Sequence, residues 1–311
     1  MSLALDAAPQ DEGTLKQAAR QSCASFRGEY DFSPHFLATD AGAMHYLDEG
    51  ESEAAPILCV HGNPTWSFHF RRIARDFAAE ARVVAPDHIG CGLSEKPQDW
   101  GYRLAGHIEN LERLVLELDL KRITLVAHDW GGAIGAGVAV RHPERFARLF
   151  LMNTAAFPSQ RIPWRINVCR TPLVGALAIR GLNAFARAAV LMAAKRREAM
   201  TPEVRRGYLA PYNSWRNRIA TQRFVQDIPM SPSHPSYATL VEVAQGLCRL
   251  REKPVRLAWG MRDFCFTPEF LQTWLGYLPQ AEILRLPEAG HFALEDAPQE
   301  VLPWLRNFLK S

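Results

Sequence analysis

The chain has 311 residues, 48% of them hydrophobic and 22% charged, with a formal net charge of +3 at pH 7. This is the balance of a globular protein long enough for one large α/β domain with an insertion, or for two domains. The charge is too small to argue for nucleic acid, and none is expected as a partner. The six cysteines, at positions 23, 59, 91, 169, 248 and 265, form no CxxC pair and no metal-binding spacing. No metal is therefore expected, and no cofactor is expected either. Cys59 lies in an apolar run, so buried free thiols are expected rather than disulfides, which fits a reducing cytoplasm.

The N-terminal "MSLALDAAPQDEG" carries acidic residues early and no basic region before an apolar core, so it does not read as a signal peptide. Residues 1–30 read as an N-terminal extension. "HFLAT" and "MHYLDE" follow as two early strands in a hairpin. The runs 57–62, 82–87, 123–129 and 149–154 read as strands, with helical patterns at 102–118 and 130–140 between them. Residues 157–230 break this rhythm. They are rich in Arg, Ala, Leu, Trp and Pro, and read as several helices without strands. Their most apolar part, 172–194, is interrupted by Arg180, Asn183 and Arg187 and makes a poor membrane span. Strands at 255–260 and 281–287 and helices at 267–275 and 297–309 resume the alternation. The expected fold is a mostly parallel, doubly wound sheet over 31–156 and 231–311, with 157–230 as an all-helical cap above the carboxyl edge of the strands, where open α/β sheets bind ligands.

Four positions carry chemistry. In "LVAHDWGGA" an apolar strand ends in Ala127-His128-Asp129-Trp130-Gly131 and a helix begins. This is the shape of a nucleophile elbow with aspartate in place of serine. Asp129 alone reads equally well as a helix N-cap. "HGNPTWSF" directly follows a strand, where a hydrolase would build its oxyanion hole. The Asn63 side chain adds donors there, although a Gly-Asn-Pro loop also suits turn geometry alone. Asp263 sits just beyond the strand 255–260, and His291 lies in a glycine-containing loop after the last strand. An acid there orients the imidazole, and the imidazole serves as base. A turn aspartate and a structural histidine are the bland alternatives. Position 153, the other place for such an acid, is Asn153, which supplies no charge. The order Asp129, Asp263, His291, with Asn63 upstream, makes chance agreement improbable.

"HGNPTW", "PDHIGCGLSEKP", "AHDWGG", "WGMRDFCF" and "EAGHF" together resemble the haloalkane dehalogenases of the α/β-hydrolase superfamily, over roughly residues 35–305. Asp after the later strand, and Asn paired with Trp, look like that group's third subfamily. The resemblance implies Asp129 as nucleophile, His291 as base, Asp263 as the acid behind it, and Asn63 and Trp130 as donors to a departing anion. The segment 157–193 is more similar to the cap of the β-lactone decarboxylases of bacterial long-chain olefin biosynthesis. That resemblance implies a cis-β-lactone as substrate, with an alkene and CO2 as products. Haloalkane dehalogenase is the alternative, and epoxide hydrolase and a non-catalytic hydrolase-fold receptor are further ones. An epoxide hydrolase needs cap tyrosines, for which the cap offers Tyr208 and Tyr212.

Both leading readings explain the aspartate. Displacement at saturated carbon wants an anion that needs no base to attack, and a carboxylate is ionised at neutral pH. The expected partner is a small hydrophobic substrate. The apolar stretch 172–193 offers a slot for alkyl chains, and Arg161, Arg165, Arg170, Arg180 and Arg187 crowd the cap. Assembly with other enzymes of olefin biosynthesis, and docking of an apolar face on a membrane or a partner protein, stay open at this point.

Overall fold

Strands whose two faces are both apolar are covered on both sides, and the central strands here are of that kind. In the computed structural model, which describes residues 12–51 and 54–310, Ile57, Leu58, Cys59 and Val60 are all buried, as are all seven residues of Ile123–Asp129. Residues 1–11, the start of the expected N-terminal extension, lie outside the described part.

Eight strands form one sheet in the order β1-β2-β4-β3-β5-β6-β7-β8. They are β1 His35–Thr39, β2 Gly42–Glu49, β3 Ile57–Val60, β4 Val83–Pro86, β5 Ile123–Asp129, β6 Phe146–Thr154, β7 Val255–Gly260 and β8 Glu282–Leu286. β1 and β2 pair antiparallel, β2 runs antiparallel to β4, and the other pairs are parallel. The chain moves outward from β3 to β4, then returns to the other side of β3 with β5. Their carboxyl ends therefore open the crevice where such sheets bind ligands.

The helices are α1 Glu12–Cys23, α2 Arg71–Phe77, α3 Leu104–Glu117, α4 Trp130–Arg141, α5 Trp164–Cys169, α6 Pro172–Gly175, α7 Ala184–Met192, α8 Pro202–Leu209, α9 Ile219–Gln226, α10 Tyr237–Gly246, α11 Pro268–Tyr277, α12 Ala293–Asp296 and α13 Pro298–Lys310. α6 continues as a wider π turn, Ala176–Gly181. Alternate strand residues feed two cores. Leu58, Leu125, Leu149 and Leu257 meet α3, α4, α10 and α11, whereas Cys59, Val126, Phe150 and Ala258 meet α2, α12 and α13. α3 shows why it docks: its buried residues recur at Leu104, Ile108, Leu111 and Val115, one stripe of a helix. Between β6 and β7 the chain is helical without strands. α5 to α9 fill most of that stretch, and α10 packs back on α4.

The helical segment between β6 and β7 is fastened to the loop after β3 and to α2 and α12 by buried polar contacts. Trp66 Nε1 donates to the Gly207 carbonyl at 3.0 Å, and Tyr212 Oη to the Thr65 carbonyl at 3.1 Å. Tyr208 of α8 donates to Glu295 at 2.7 Å, and Glu295 forms a two-pronged pair with buried Arg71. Burial alone raises a carboxyl pKa. Here the Arg71 charge and the hydrogen bonds from Arg71 and Tyr208 outweigh it and hold Glu295 at about 2, against an ordinary 4.5. On acidification the unfolded chain takes up that proton first. The pair therefore stabilises fully above about pH 4.5, and this is lost as pH falls towards about 2, an effect of roughly 3 kcal/mol. The urea midpoint is expected to drop steeply as pH falls from about 4.5 towards about 2. It should drop less in Glu295→Gln, which starts less stable at neutral pH. Equal pH dependence in the two proteins would remove Glu295 from this role.

Candidate active site

Asp129 closes β5 and opens α4 with φ 54° and ψ −128°. A side chain held at positive φ on a sharp turn is thrust out of the sheet edge, and the sequence permits this through its neighbours. A Cβ at Gly131 would lie 1.9 Å from the Val60 carbonyl oxygen, and one at Gly62 would lie 2.0 Å from Asp129 Oδ1. Only glycine lets β3, β5 and the loop after β3 converge so closely. The Thr154 hydroxyl donates to the Asp129 carbonyl and secures the turn from β6.

Two backbone donors hold the carboxylate. The Asn63 N–H reaches Asp129 Oδ1 at 2.6 Å, and the Trp130 N–H also donates to the carboxylate. The other oxygen, Oδ2, lies 3.7 Å from His291 Nε2, beyond a hydrogen bond. Burial raises the Asp129 pKa above the usual carboxylate value. The charge of His291 and the two N–H donors oppose the shift without cancelling it.

His291 Nδ1 donates to Asp263 Oδ2 at 2.8 Å, which leaves Nε2 facing Asp129 as the basic nitrogen. Burial favours the neutral ring, but the Asp263 charge, that hydrogen bond and the Asp129 charge together raise the His291 pKa above its ordinary value. The structure thus brings Asp129, Asp263 and His291 together in one constellation. Asn153, set aside in the sequence for lack of charge, has a task there. Its Nδ2 donates to Asp263 Oδ2 at 3.0 Å and its Oδ1 accepts from Gly260 N at 2.8 Å, so it fixes the acid in place. His128 adds a second fixture by bonding the His291 carbonyl through Nε2 at 2.9 Å.

Asn63 and Trp130 line the same cavity as Asp129 and His291. Asn63 Nδ2 spends one hydrogen on the Thr221 carbonyl at 3.2 Å and keeps a second. The Trp130 ring rests 5.5 Å from Phe224 of α9. The cavity holds about 320 Å³, and Phe157, Ile162, Ile166, Phe185, Leu240 and Phe266 give it an apolar wall. One face of α7 lines it through Ala184, Ala188 and Met192, at helical spacing. Of the expected alkyl slot only this later half is found. None of residues 172–183 lines the cavity, and several of them face solvent instead.

The cap arginines divide likewise. Arg161 and Arg165 line the cavity, whereas Arg170 bonds the Ile228 carbonyl and Arg180 bonds Gln98 and the Trp215 carbonyl. Tyr208 and Tyr212 are buried in their own hydrogen bonds and do not line the cavity, which leaves an epoxide oxygen without a proton donor from either.

Comparison with known proteins gives the family. Residues 55–298 match the family model for the alpha/beta hydrolase fold. The cis-3-alkyl-4-alkyloxetan-2-one decarboxylase of Shewanella oneidensis is 42% identical, over 89% of this chain and 88% of its own. That of Xanthomonas campestris pv. campestris is 41% identical, over 90% and 97%. Haloalkane dehalogenase 2 of Mycobacterium tuberculosis is more distant, at 32% over 88% and 93%. Among solved structures, the haloalkane dehalogenase DatA of Agrobacterium tumefaciens superposes with a TM-score of 0.80, at 25% identity over 91% of this chain and 98% of its own. The chain belongs to the α/β-hydrolase fold family, in the group of enzymes that holds the cis-3-alkyl-4-alkyloxetan-2-one decarboxylases and the haloalkane dehalogenases.

Proposed function

We propose that this chain decarboxylates cis-3,4-dialkyl β-lactones to alkenes through an ester on Asp129. The observation that carries the reading is the state of the Asp129 carboxylate. It stands in an apolar cavity at the turn from β5 to α4, with Oδ1 receiving the Asn63 N–H, the Trp130 N–H also donating to the carboxylate, and Oδ2 3.7 Å from His291 Nε2, beyond a hydrogen bond to it. Attack by Oδ2 on the ring carbon bearing the lactone oxygen breaks that C–O bond. The ring oxygen leaves as a carboxylate still tethered through the neighbouring carbon. The Asn63 amide and the Trp130 indole N–H receive this anion, in an apolar site where such donors count for more than in water. Loss of CO2 then sends the C–C bonding pair into a new C=C bond and expels Asp129 as carboxylate, ready for another turn. No water is consumed and no net proton moves. Identity of 41–42% to two decarboxylases, against 31–36% to the haloalkane dehalogenases, supports the substrate class.

One observation favours dehalogenation as a second reading. His291 Nε2, backed by Asp263, stands beside Asp129 where it would activate a water against an alkyl ester. Separate incubations with a cis-3,4-dialkyl-oxetan-2-one and a 1-bromoalkane decide between the two. Alkene from the lactone without steady bromide release is expected. Sustained bromide release with an inert lactone would reverse the assignment, and turnover of neither would return weight to a binding-only protein. We take the compartment to be the cytoplasm, with the six unpaired cysteines as support.

A further inference from the structure

Among the described residues, most of the large apolar side chains exposed to solvent belong to the helical segment between β6 and β7. Trp164 is 70% exposed, Leu173 81%, Leu177 65%, Leu182 70% and Leu191 60%. A globular protein rarely leaves so much apolar surface together without a use for it. The segments that carry these residues adjoin. A Cβ at Gly175 would lie 2.1 Å from the Cys169 carbonyl, so α5 and α6 nearly touch. Arg165 of α5 reaches Met192 of α7 at 4.0 Å, and Arg218 bonds the carbonyls of Arg180 and Gly181 beside Leu182.

The charge along this segment is mostly positive. Residues 157–197 contain eight Lys or Arg and no Asp or Glu, although the whole chain is only +3. Of the basic side chains from 157 to 195, only Arg161 comes near a carboxylate among the described residues, Glu269 at 3.7 Å. Two of the guanidinium groups lie over exposed indoles, Arg165 over Trp164 and Arg180 over Trp215. Leucine, tryptophan and arginine presented together on one side are the pattern of a surface that beds into lipid headgroups. A second copy of the chain would meet this face with like charge. No single described helix is long and apolar enough to cross a bilayer. The bent pair Pro172–Gly181 and Ala184–Met192, turned by 68° at its break, reaches the needed hydropathy only jointly. That suits lying in an interface rather than spanning it.

We propose that this face docks the protein peripherally on a bilayer containing anionic lipid. The inference does not depend on which reaction Asp129 performs. Its position has meaning for either one, because α5 and α7 expose Trp164 and Leu191 outward and line the cavity through Ile166 and Ala188.

The test is flotation of the full chain with phosphatidylcholine vesicles, with and without phosphatidylglycerol, read beside light scattering of the free protein. Binding to the anionic vesicles, weakened by high salt, is expected. The double variant Leu173→Asp, Leu177→Asp should lose on the order of tenfold or more in partitioning, because it swaps buried apolar contact for negative charge. It should keep the thermal midpoint and its turnover of a short, water-soluble substrate. Three results would overturn the proposal: no binding to either vesicle, equal binding by the variant, or self-association that the same variant abolishes, which would make the face a contact between copies.

Discussion

Asp129→Asn is expected to lose turnover by a factor on the order of 10⁴ or more, whichever substrate is offered. The change is nearly isosteric, and Asn Oδ1 can still accept from the Asn63 N–H, so the elbow keeps its shape. What vanishes is the anion. Burial already raises the Asp129 pKa, so its charge is held at a cost, and the neutral amide should leave the thermal midpoint unchanged or raise it. The measurement is steady-state turnover on protein verified by mass to be free of deamidation. Full activity in such a sample would end the nucleophile assignment.

His291→Ala separates the two chemistries. Hydrolysis of an alkyl ester on Asp129 needs a base, so a bromoalkane should release one equivalent of bromide and leave Asp129 alkylated, visible as a mass increase. Decarboxylation needs no water, so alkene formation should survive in part. The pH dependence gives a second readout. The charge of His291 is the largest influence opposing the effect of burial on Asp129. Without it the Asp129 pKa rises, and the acid limb of the surviving alkene activity should move to higher pH. An unmoved limb would show that the two groups do not share this coupling. A variant with neither trapped ester nor alkene would show that His291 acts before the first bond is made.

The residues legible in the sequence were those whose meaning is local. Asp129, Asp263 and His291 each follow a strand end, and strands with apolar residues on both faces announce themselves. Asn153 was legible as a position but not as a partner, because its value lies in Asp263, 110 residues away. Glu295 sits four residues past His291, yet nothing nearby tells that Arg71 and Tyr208 will meet it. The helix Glu12–Cys23 is polar in composition, and only Ala19 and Cys23 of it are buried, so no apolar run marks it in the sequence. Phe26, just beyond it, finds Trp66 and Phe68 only in three dimensions. The stretch 172–193 shows the limit of hydropathy most plainly. It is apolar enough for a cavity wall along its whole length, but only contacts reveal that α7 turns one face inward while Leu173 and Leu177 turn out.

The hydrogen bond from Asn63 to the Thr221 carbonyl has a mechanical consequence. Through its backbone Asn63 grips Asp129, and through its amide it is tethered to α9, the helix on which the Trp130 ring also rests. Both candidate anion donors are therefore referenced to one helix of the cap. If α9 tilts, the pair of donors shifts together relative to the carboxylate, with no messenger residue in between. Capture of the substrate and release of the product would then be timed by a single rigid element, and substitutions that loosen α9 should slow both in proportion.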